Sequence, residues 1–249
     1  MSAWVGIGRS DVGLVRPSNQ DAFLAIDHVG FWAVADGMGG HPGGDIAAYT
    51  AIASLKAQAE ASAQVLQQGH PAPSALLRHF IDTAQRALDQ RVQLEPRLRG
   101  MGTTIAMLLI ATAPVPSAHV AHLGDSRAYR YRSGALTALT RDHTMIEKYL
   151  RHGILTEETA RRHPERHVLT RALGMPGPVQ PDIGSHDLTQ SDLFLLCSDG
   201  LTKMLEDREI AAVFEKGKSD PIRICDQLID ESLRRGGDDN VTVVVIAHP

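Results

Sequence analysis

Hydrophobic residues along this chain recur in two registers, and the switches between them divide it into elements. Short runs of β-type residues at positions 4–8, 22–27 and 31–35 predict three strands at the start. They are broken by Arg16-Pro17-Ser18-Asn19 and His28-Val29-Gly30. The spacing then lengthens to three and four. Ile52, Leu55, Ala59, Ala63 and Leu66 fall on one helix face, and Leu77, Ile81, Ala84, Leu88 and Val92 on the face of a second helix, with Ser74 as its expected N-cap. Strand patterns return at 103–111, 118–123, 126–132 and 135–140. The stretch 145–172 is polar and helical in character, with Thr156 as a cap before Glu157 and Glu158, and reads as a flap inserted between strands. Strands at 182–187 and 193–197 lead to two more helices. The second opens on Asp220-Pro221 and carries Ile222, Cys225, Ile229 and Leu233 on one face. A final strand spans 241–247.

Strands in runs and helices in pairs indicate an α+β fold. Each helix pair needs a sheet face to cover, so two antiparallel sheets packed together with helices outside both, a four-layer αββα sandwich, is the economical layout. No linker or internal repeat interrupts the pattern, and residues 1–249 are expected to form one domain.

Composition narrows the function. The 249 residues are 43% hydrophobic and 22% charged, within the range of globular chains that bury a core. A net charge of −4 argues against a general nucleic-acid binder, which needs clustered Lys and Arg. No apolar run is long enough for a membrane span, and no signal peptide is visible at the start. Two cysteines, Cys197 and Cys225, make no disulfide framework, and a cytoplasmic location is expected. A thiol phosphatase would want Cys-x₅-Arg; that position holds Lys203 after Cys197 and Glu231 after Cys225.

Candidate chemistry lies in the acidic residues. Two apolar strands run into Asp-Gly, at Asp36-Gly37 and Asp199-Gly200, and Gly237-Asp238-Asp239-Asn240 precedes the last strand. A carboxylate at the end of a buried strand is unfavourable unless a cation receives it. Single Asp-Gly pairs are common turns. Together with Gly124-Asp125-Ser126-Arg127, expected in a hairpin, these ends point to one oxygen-rich site for Mg²⁺ or Mn²⁺.

Seven segments, in order, then carry a resemblance. They are Arg16-Pro17-Ser18-Asn19-Gln20-Asp21-Ala22, Val34-Ala35-Asp36-Gly37-Met38-Gly39-Gly40-His41, Gly100-Met101-Gly102-Thr103-Thr104, Gly124-Asp125-Ser126-Arg127, Leu169-Thr170-Arg171-Ala172-Leu173-Gly174, Cys197-Ser198-Asp199-Gly200-Leu201 and Asp238-Asp239-Asn240-Val241-Thr242. Spanning residues 16 to 242, they resemble the metal-dependent serine/threonine protein phosphatases of type 2C in their bacterial form, whose αββα sandwich agrees with the layering above.

The resemblance implies that Asp36 bridges two ions, that the Gly37 carbonyl faces the second, and that Asp199 and Asp239 complete the shell of the first. It implies that Asp21 holds metal-bound water, and that Asp125 with Asp199 matches a third, weaker metal position. Arg16 resembles the arginine that grips the substrate phosphate, a task suited to its planar fork of donors. Two Mn²⁺ or Mg²⁺ ions would supply a bridging hydroxide that attacks phosphorus in phosphoserine or phosphothreonine. The expected partners are phosphorylated proteins made by a Ser/Thr kinase, and the expected state is a monomer.

Two positions depart from the family pattern. Met38 stands where eukaryotic members carry a His proposed as general acid, which makes His41 the substitute candidate. Gln20 stands where many relatives have Glu. The basic run of Arg161, Arg162, Arg166 and Arg171 reads equally as a phosphopeptide-facing patch or a solvated helix face. A P-loop and a zinc motif are both missing from the sequence. The rival readings are a non-catalytic phosphoprotein-binding module and a metal-dependent phosphodiesterase. The first has no chemical need for Asp36, Asp199, Asp239 and Arg16 together, and the second commonly uses His ligands.

Overall fold

Two five-stranded antiparallel sheets carry the site, in a computed structural model that describes residues 4–38, 43–67, 72–112, 115–160, 163–217 and 220–249. One sheet runs in the order β1 (Val5–Asp11), β10 (Val241–Ala247), β9 (Leu193–Cys197), β6 (Arg127–Arg132), β7 (Ala135–Ala138). The other runs β2 (Asp21–Ile26), β3 (Phe31–Asp36), β4 (Ile105–Ala111), β5 (Ser117–Leu123), β8 (Asp182–Asp187). The inner strands β4, β9 and β10 are buried at every position, as strands covered on both faces must be.

Three apolar layers hold the sandwich together. Between the sheets lie Trp32, Val34, Leu108, Val120, Phe194, Leu196, Val244 and Ile246. Trp32 is fully buried there, and its indole N–H donates to Asp27 Oδ1 at 2.9 Å, so its one polar atom is satisfied. Outside the β2–β8 sheet pack α1 (Gly44–Gln67) and α2 (Pro73–Leu94), with Leu55, Leu77, Phe80, Ile81, Ala84 and Leu88 buried. Outside the other sheet pack α6 (Asp207–Gly217) and α7 (Pro221–Arg234), through Ile210, Phe214, Ile224, Cys225 and Leu228. The α+β layering expected from the hydrophobic pattern is the one observed.

Local chemistry corrects several boundaries. The second helix begins at Pro73 with Ala72 as its N-cap and no side-chain cap bond, so Ser74 lies inside the first turn. Proline has no N–H to cap and its φ suits the first helical position, which moves the start two residues earlier. Asp220 does cap α7, accepting from the backbone N–H groups of Ile222 and Arg223. The Gly124–Arg127 segment makes no hairpin. It joins β5 of one sheet to β6 of the other, and Gly124, at φ 99°, turns the chain between layers.

Asp199-Gly200 is also no turn: it opens a short helix, α5 (Asp199–Thr202), so three helices follow β9 rather than two. The flap region holds α3 (Met145–Arg151), capped by Thr144, and the four-residue α4 (Glu157–Ala160). Thr156 meets the start of α4 as expected, its Oγ1 accepting from Thr159 N–H.

Candidate metal centre

The ends of β2, β3, β9 and β10 meet at one edge of the sandwich. Asp21 begins β2 and Asp36 ends β3, directly opposite one another in the ladder. Asp199 follows β9 and Asp239 precedes β10. The two are brought together by Gly200, where an added Cβ would lie 1.9 Å from the Asn240 carbonyl oxygen. Gly37 is equally confined, since a Cβ there would lie 2.2 Å from the Gly44 carbonyl oxygen and 2.7 Å from that of Gln20. Both Asp-Gly glycines are thus demanded by close backbone approach, which fixes the carboxylate beside each of them.

Hydrogen bonds lock these ends. Ser198 Oγ donates to Asp21 Oδ2 at 2.7 Å and accepts from Thr242 N–H at 2.9 Å, tying β2 to β9 and β10. Thr104 Oγ1 accepts from Asp36 N–H at 3.1 Å and bonds Ser126 Oγ at 2.6 Å, linking Asp36 to the turn that carries Asp125. Asn240 donates to the carbonyls of Val12 and Ser18 and accepts from Gln20 N–H, clamping the loop that bears Arg16.

The resulting electrostatics are those of a cluster short of positive charge. Burial pushes the Asp21 carboxyl up to about 6, and Asp199 and Asp239 add to the rise. Asp36 is pushed well above the usual carboxylate range by burial and then by Asp21, Asp199 and Asp125. Asp125 rises to about 8, through burial, Asp199 and Asp142. Asp239 behaves differently. Burial would raise it, but the hydrogen bond and charge of Lys203, with Arg16 beyond, hold it below its ordinary value.

Two carboxylate oxygens, Asp21 Oδ1 and Asp199 Oδ1, are buried without a hydrogen-bond partner among the described residues. An orphaned buried carboxylate oxygen in an all-oxygen cluster suits a hard divalent cation. The residues present fit such an ion.

Cations from the protein already reach in. Lys203 Nζ lies 2.6 Å from Asp199 Oδ2 and 2.8 Å from Asp239 Oδ2. Arg16 makes a two-pronged contact with Asp239, Nε to Oδ1 at 2.8 Å and an Nη2 donor to Oδ2 at 3.0 Å. The structure therefore brings together Asp21, Asp36, Asp125, Asp199, Asp239 and Arg16. His41 lies outside the described residues. Lys203, Ser198 and Asn240 were not expected as part of the site. Lys203 becomes legible only once Asp199 is seen to open a helix, because a residue four positions on then shares its face.

A second titratable group sits nearby. His122, His143 and Asp182 have ligand-type atoms within 4.8 Å of one another, and the two rings stack with centroids 4.4 Å apart. Their atoms are already engaged. His143 Nδ1 accepts from Gly124 N–H, so its Nε2 carries the proton toward Asp182, while Arg171 donates to Asp182 at 2.8 Å and His122 Nε2 donates to the Arg141 carbonyl. This is a clamp on the turn preceding Asp125.

Neither cysteine is a plausible nucleophile. Both are buried, and burial pushes each thiol up to about 12.

Comparison with known proteins places this geometry. Residues 15–233 match the family model described as protein phosphatase 2C. The chain is 37% identical over 241 residues to the serine/threonine protein phosphatase PstP of Mycobacterium tuberculosis, covering 95% of this chain and 43% of that protein. It therefore spans less than half the length of the mycobacterial relative. It is 35% identical over 241 residues to the serine/threonine phosphatase stp of Listeria monocytogenes, covering 96% and 93% of the two chains. The crystal structure of the PstP catalytic domain in complex with two manganese ions superposes with a TM-score of 0.82 at 34% identity, covering 98% of both chains.

Proposed function

The chain belongs to the protein phosphatase 2C family, and on that footing we propose that it removes phosphate from phosphoserine and phosphothreonine in proteins, opposing a Ser/Thr kinase. The observation that carries this reading is the convergence of Asp21, Asp36, Asp125, Asp199 and Asp239, with two of their buried oxygens unpartnered among the described residues. The same family supports two Mn²⁺ or Mg²⁺ ions as cofactors, because its manganese-bound member superposes over 98% of this chain.

Asp36, the Gly37 carbonyl, Asp199 and Asp239 would hold the two ions, Asp21 would hold water in their outer shell, and Asp125 with Asp199 would take a third. When bound, such ions supply Lewis acidity toward the phosphoryl oxygens and a water acidic enough to ionise near neutral pH. The chain's own residues do the rest. The Arg16 fork turns from Asp239 to the incoming phosphate, binding and orienting it. Ser198 fixes the Asp21 carboxylate, and Thr104 with Ser126 fixes the backbone of Asp36. His41 is the candidate donor of a proton to the leaving serine or threonine oxygen. Loss on phosphoserine but not on an aryl phosphate in His41→Ala would be its signature, since aryl leaving groups need no proton. Buried, high-pKa thiols speak against a cysteine nucleophile, which suits direct attack by water without a phosphoenzyme.

We read residues 1–249 as one phosphatase domain with a flap at about 145–172, working as a monomer in the cytoplasm. Two free cysteines and a set of described helices too short or too polar to cross a membrane support that placement. The deciding experiment is hydrolysis of a phosphothreonine peptide by metal-stripped protein with and without Mn²⁺. Turnover that ignores both EDTA and Mn²⁺ would sink the reading.

A further inference from the structure

Among the ion pairs of the site, one joins two candidate ligands of the same ion. We propose that Lys203 is a tethered counter-ion that occupies the first metal position and must be displaced before Mn²⁺ or Mg²⁺ binds there, so that it sets the metal concentration at which the enzyme loads. The inference rests on the reading that Asp199 and Asp239 hold a divalent cation.

The geometry is specific. Lys203 Nζ stands 2.6 Å from Asp199 Oδ2 and 2.8 Å from Asp239 Oδ2, so a single ammonium bridges carboxylates from two different strand ends. An isolated helical pair at i and i+4 in water contributes little. This one is only 26% exposed on the lysine side and 17% on each carboxylate, so water screens it weakly.

The ammonium is also delivered by the same turn as the ligand. Lys203 N–H donates to the Asp199 carbonyl at 2.8 Å, which fixes the lysine backbone relative to the carboxylate it neutralises. A divalent ion held at roughly 2.0–2.2 Å by the same oxygens would face that ammonium across a few ångströms, and both cannot occupy the site. Arg16 is not equivalent. Among the described residues it pairs with Asp239 alone, and it is 41% exposed, so it can leave toward a phosphate.

Two consequences follow. Without metal, Lys203 neutralises part of a buried acidic cluster and holds the ends of β9 and β10 together. With metal, the ion must displace it, which weakens apparent affinity and leaves a positive charge near Asp36 and Asp125, both of which feel it.

The test compares Mn²⁺ binding to metal-stripped wild type, Lys203→Met and Lys203→Arg, by calorimetry and by the electron paramagnetic resonance signal of free Mn²⁺, alongside melting in EDTA. Lys203→Met should bind the first Mn²⁺ about tenfold more tightly than wild type, melt lower in EDTA, and gain more on Mn²⁺ addition. Lys203→Arg, which keeps the charge, should stay near wild type in affinity. If Lys203→Met is too unstable when metal-free, Lys203→Gln gives the same comparison with a polar, uncharged head. Equal or weaker Mn²⁺ binding in the uncharged variants would overturn the proposal while leaving the metal reading intact. No Mn²⁺ binding by wild type or any variant would overturn the metal reading itself.

Discussion

Asp21 and Asp36 face each other directly across the β2–β3 ladder. Opposed residues in an antiparallel pair have Cβ atoms about 4.5–5.5 Å apart, and like charges at that spacing destabilise a sheet. The arrangement makes physical sense only if positive charge is drawn to it. Lys203 and Arg16 supply some on the neighbouring carboxylates, and Asp21 Oδ1 and Asp199 Oδ1 still lack partners among the described residues.

Removing metal should therefore abolish activity and adding it should restore it. EDTA is expected to stop hydrolysis, and Mn²⁺ or Mg²⁺ to return it. Asp36→Asn should lower turnover by at least about a hundredfold at saturating Mn²⁺, the scale of losing one charge-stabilising group. In EDTA the same variant should melt at or above wild type, because the cost of burying an ionisable carboxyl among like charges has been removed. Near-native turnover in Asp36→Asn would refute its bridging role, and a large fall in metal-free melting would make Asp36 a structural residue.

Arg16 has a partner that the sequence did not announce. Its fork lies on Asp239, so phosphate binding would exchange one anion for another. Arg16→Ala should raise KM and lower kcat/KM by about 1.5–3 kcal/mol of lost charge-assisted hydrogen bonding. Lysine should rescue it only partly, having no planar fork. An unchanged KM on a phosphopeptide would assign Arg16 to holding Asp239.

The layers and the acidic site were legible in the sequence because both leave periodic or positional marks. Fully buried strands such as β9 and β10 read as near-continuous apolar runs, with Asp199 two positions past the end of β9 and Asp239 two positions before the start of β10. What escaped was set by contacts between distant segments. Ser198 looks like an ordinary helix cap, yet its Oγ is taken by Asp21 and Thr242 and makes no cap bond. Gly124 looks like a hairpin glycine, yet the chain changes sheets there. Lys203 bonds Asp239, which lies 36 positions away, and no local pattern encodes that.

His143 gives the fold a pH dependence away from the carboxylates. Burial, then His122, holds its pKa down at about 4, against 6.5 ordinarily. Between those values the unfolded chain binds the extra proton and the folded one does not, so stability is full above about pH 6.5 and declines as pH falls toward 4. The contribution is at most about 3 kcal/mol. Melting of wild type across pH 4–7 should show this slope. His143→Asn, whose amide oxygen can accept from Gly124 N–H as Nδ1 does, should flatten it. An equal slope in both proteins would assign the acid sensitivity elsewhere.

The flap is pinned at its base beside the acidic site, and that attachment predicts what it does. Thr144 and Leu169 form an isolated bridge, Met145 N–H donates to the Val168 carbonyl, and Thr170 N–H donates to the His143 carbonyl, so both ends are fastened beside the turn that carries Asp125. Near that base, His167 feels the charges of Lys203, Asp199 and Asp239, which sets this end of the segment on the acidic side of the site. Arg166 beside it is exposed, while Arg161 and Arg162 lie outside the described residues. Polar segments of this kind beside an active site select or gate substrates rather than perform chemistry. Neutralising Arg161, Arg162 and Arg166 together should lower kcat/KM on a phosphoprotein by about tenfold, the scale of a few exposed charge contacts of up to about 1 kcal/mol each. A small aryl phosphate, which offers no acidic surface, should be turned over as by wild type. The difference should shrink as ionic strength rises and screens those contacts. Side-by-side kcat/KM values on the two substrates at low and high salt check this. A proportional loss on both substrates, insensitive to salt, would mean that the segment supports the Asp125 turn instead of choosing the partner.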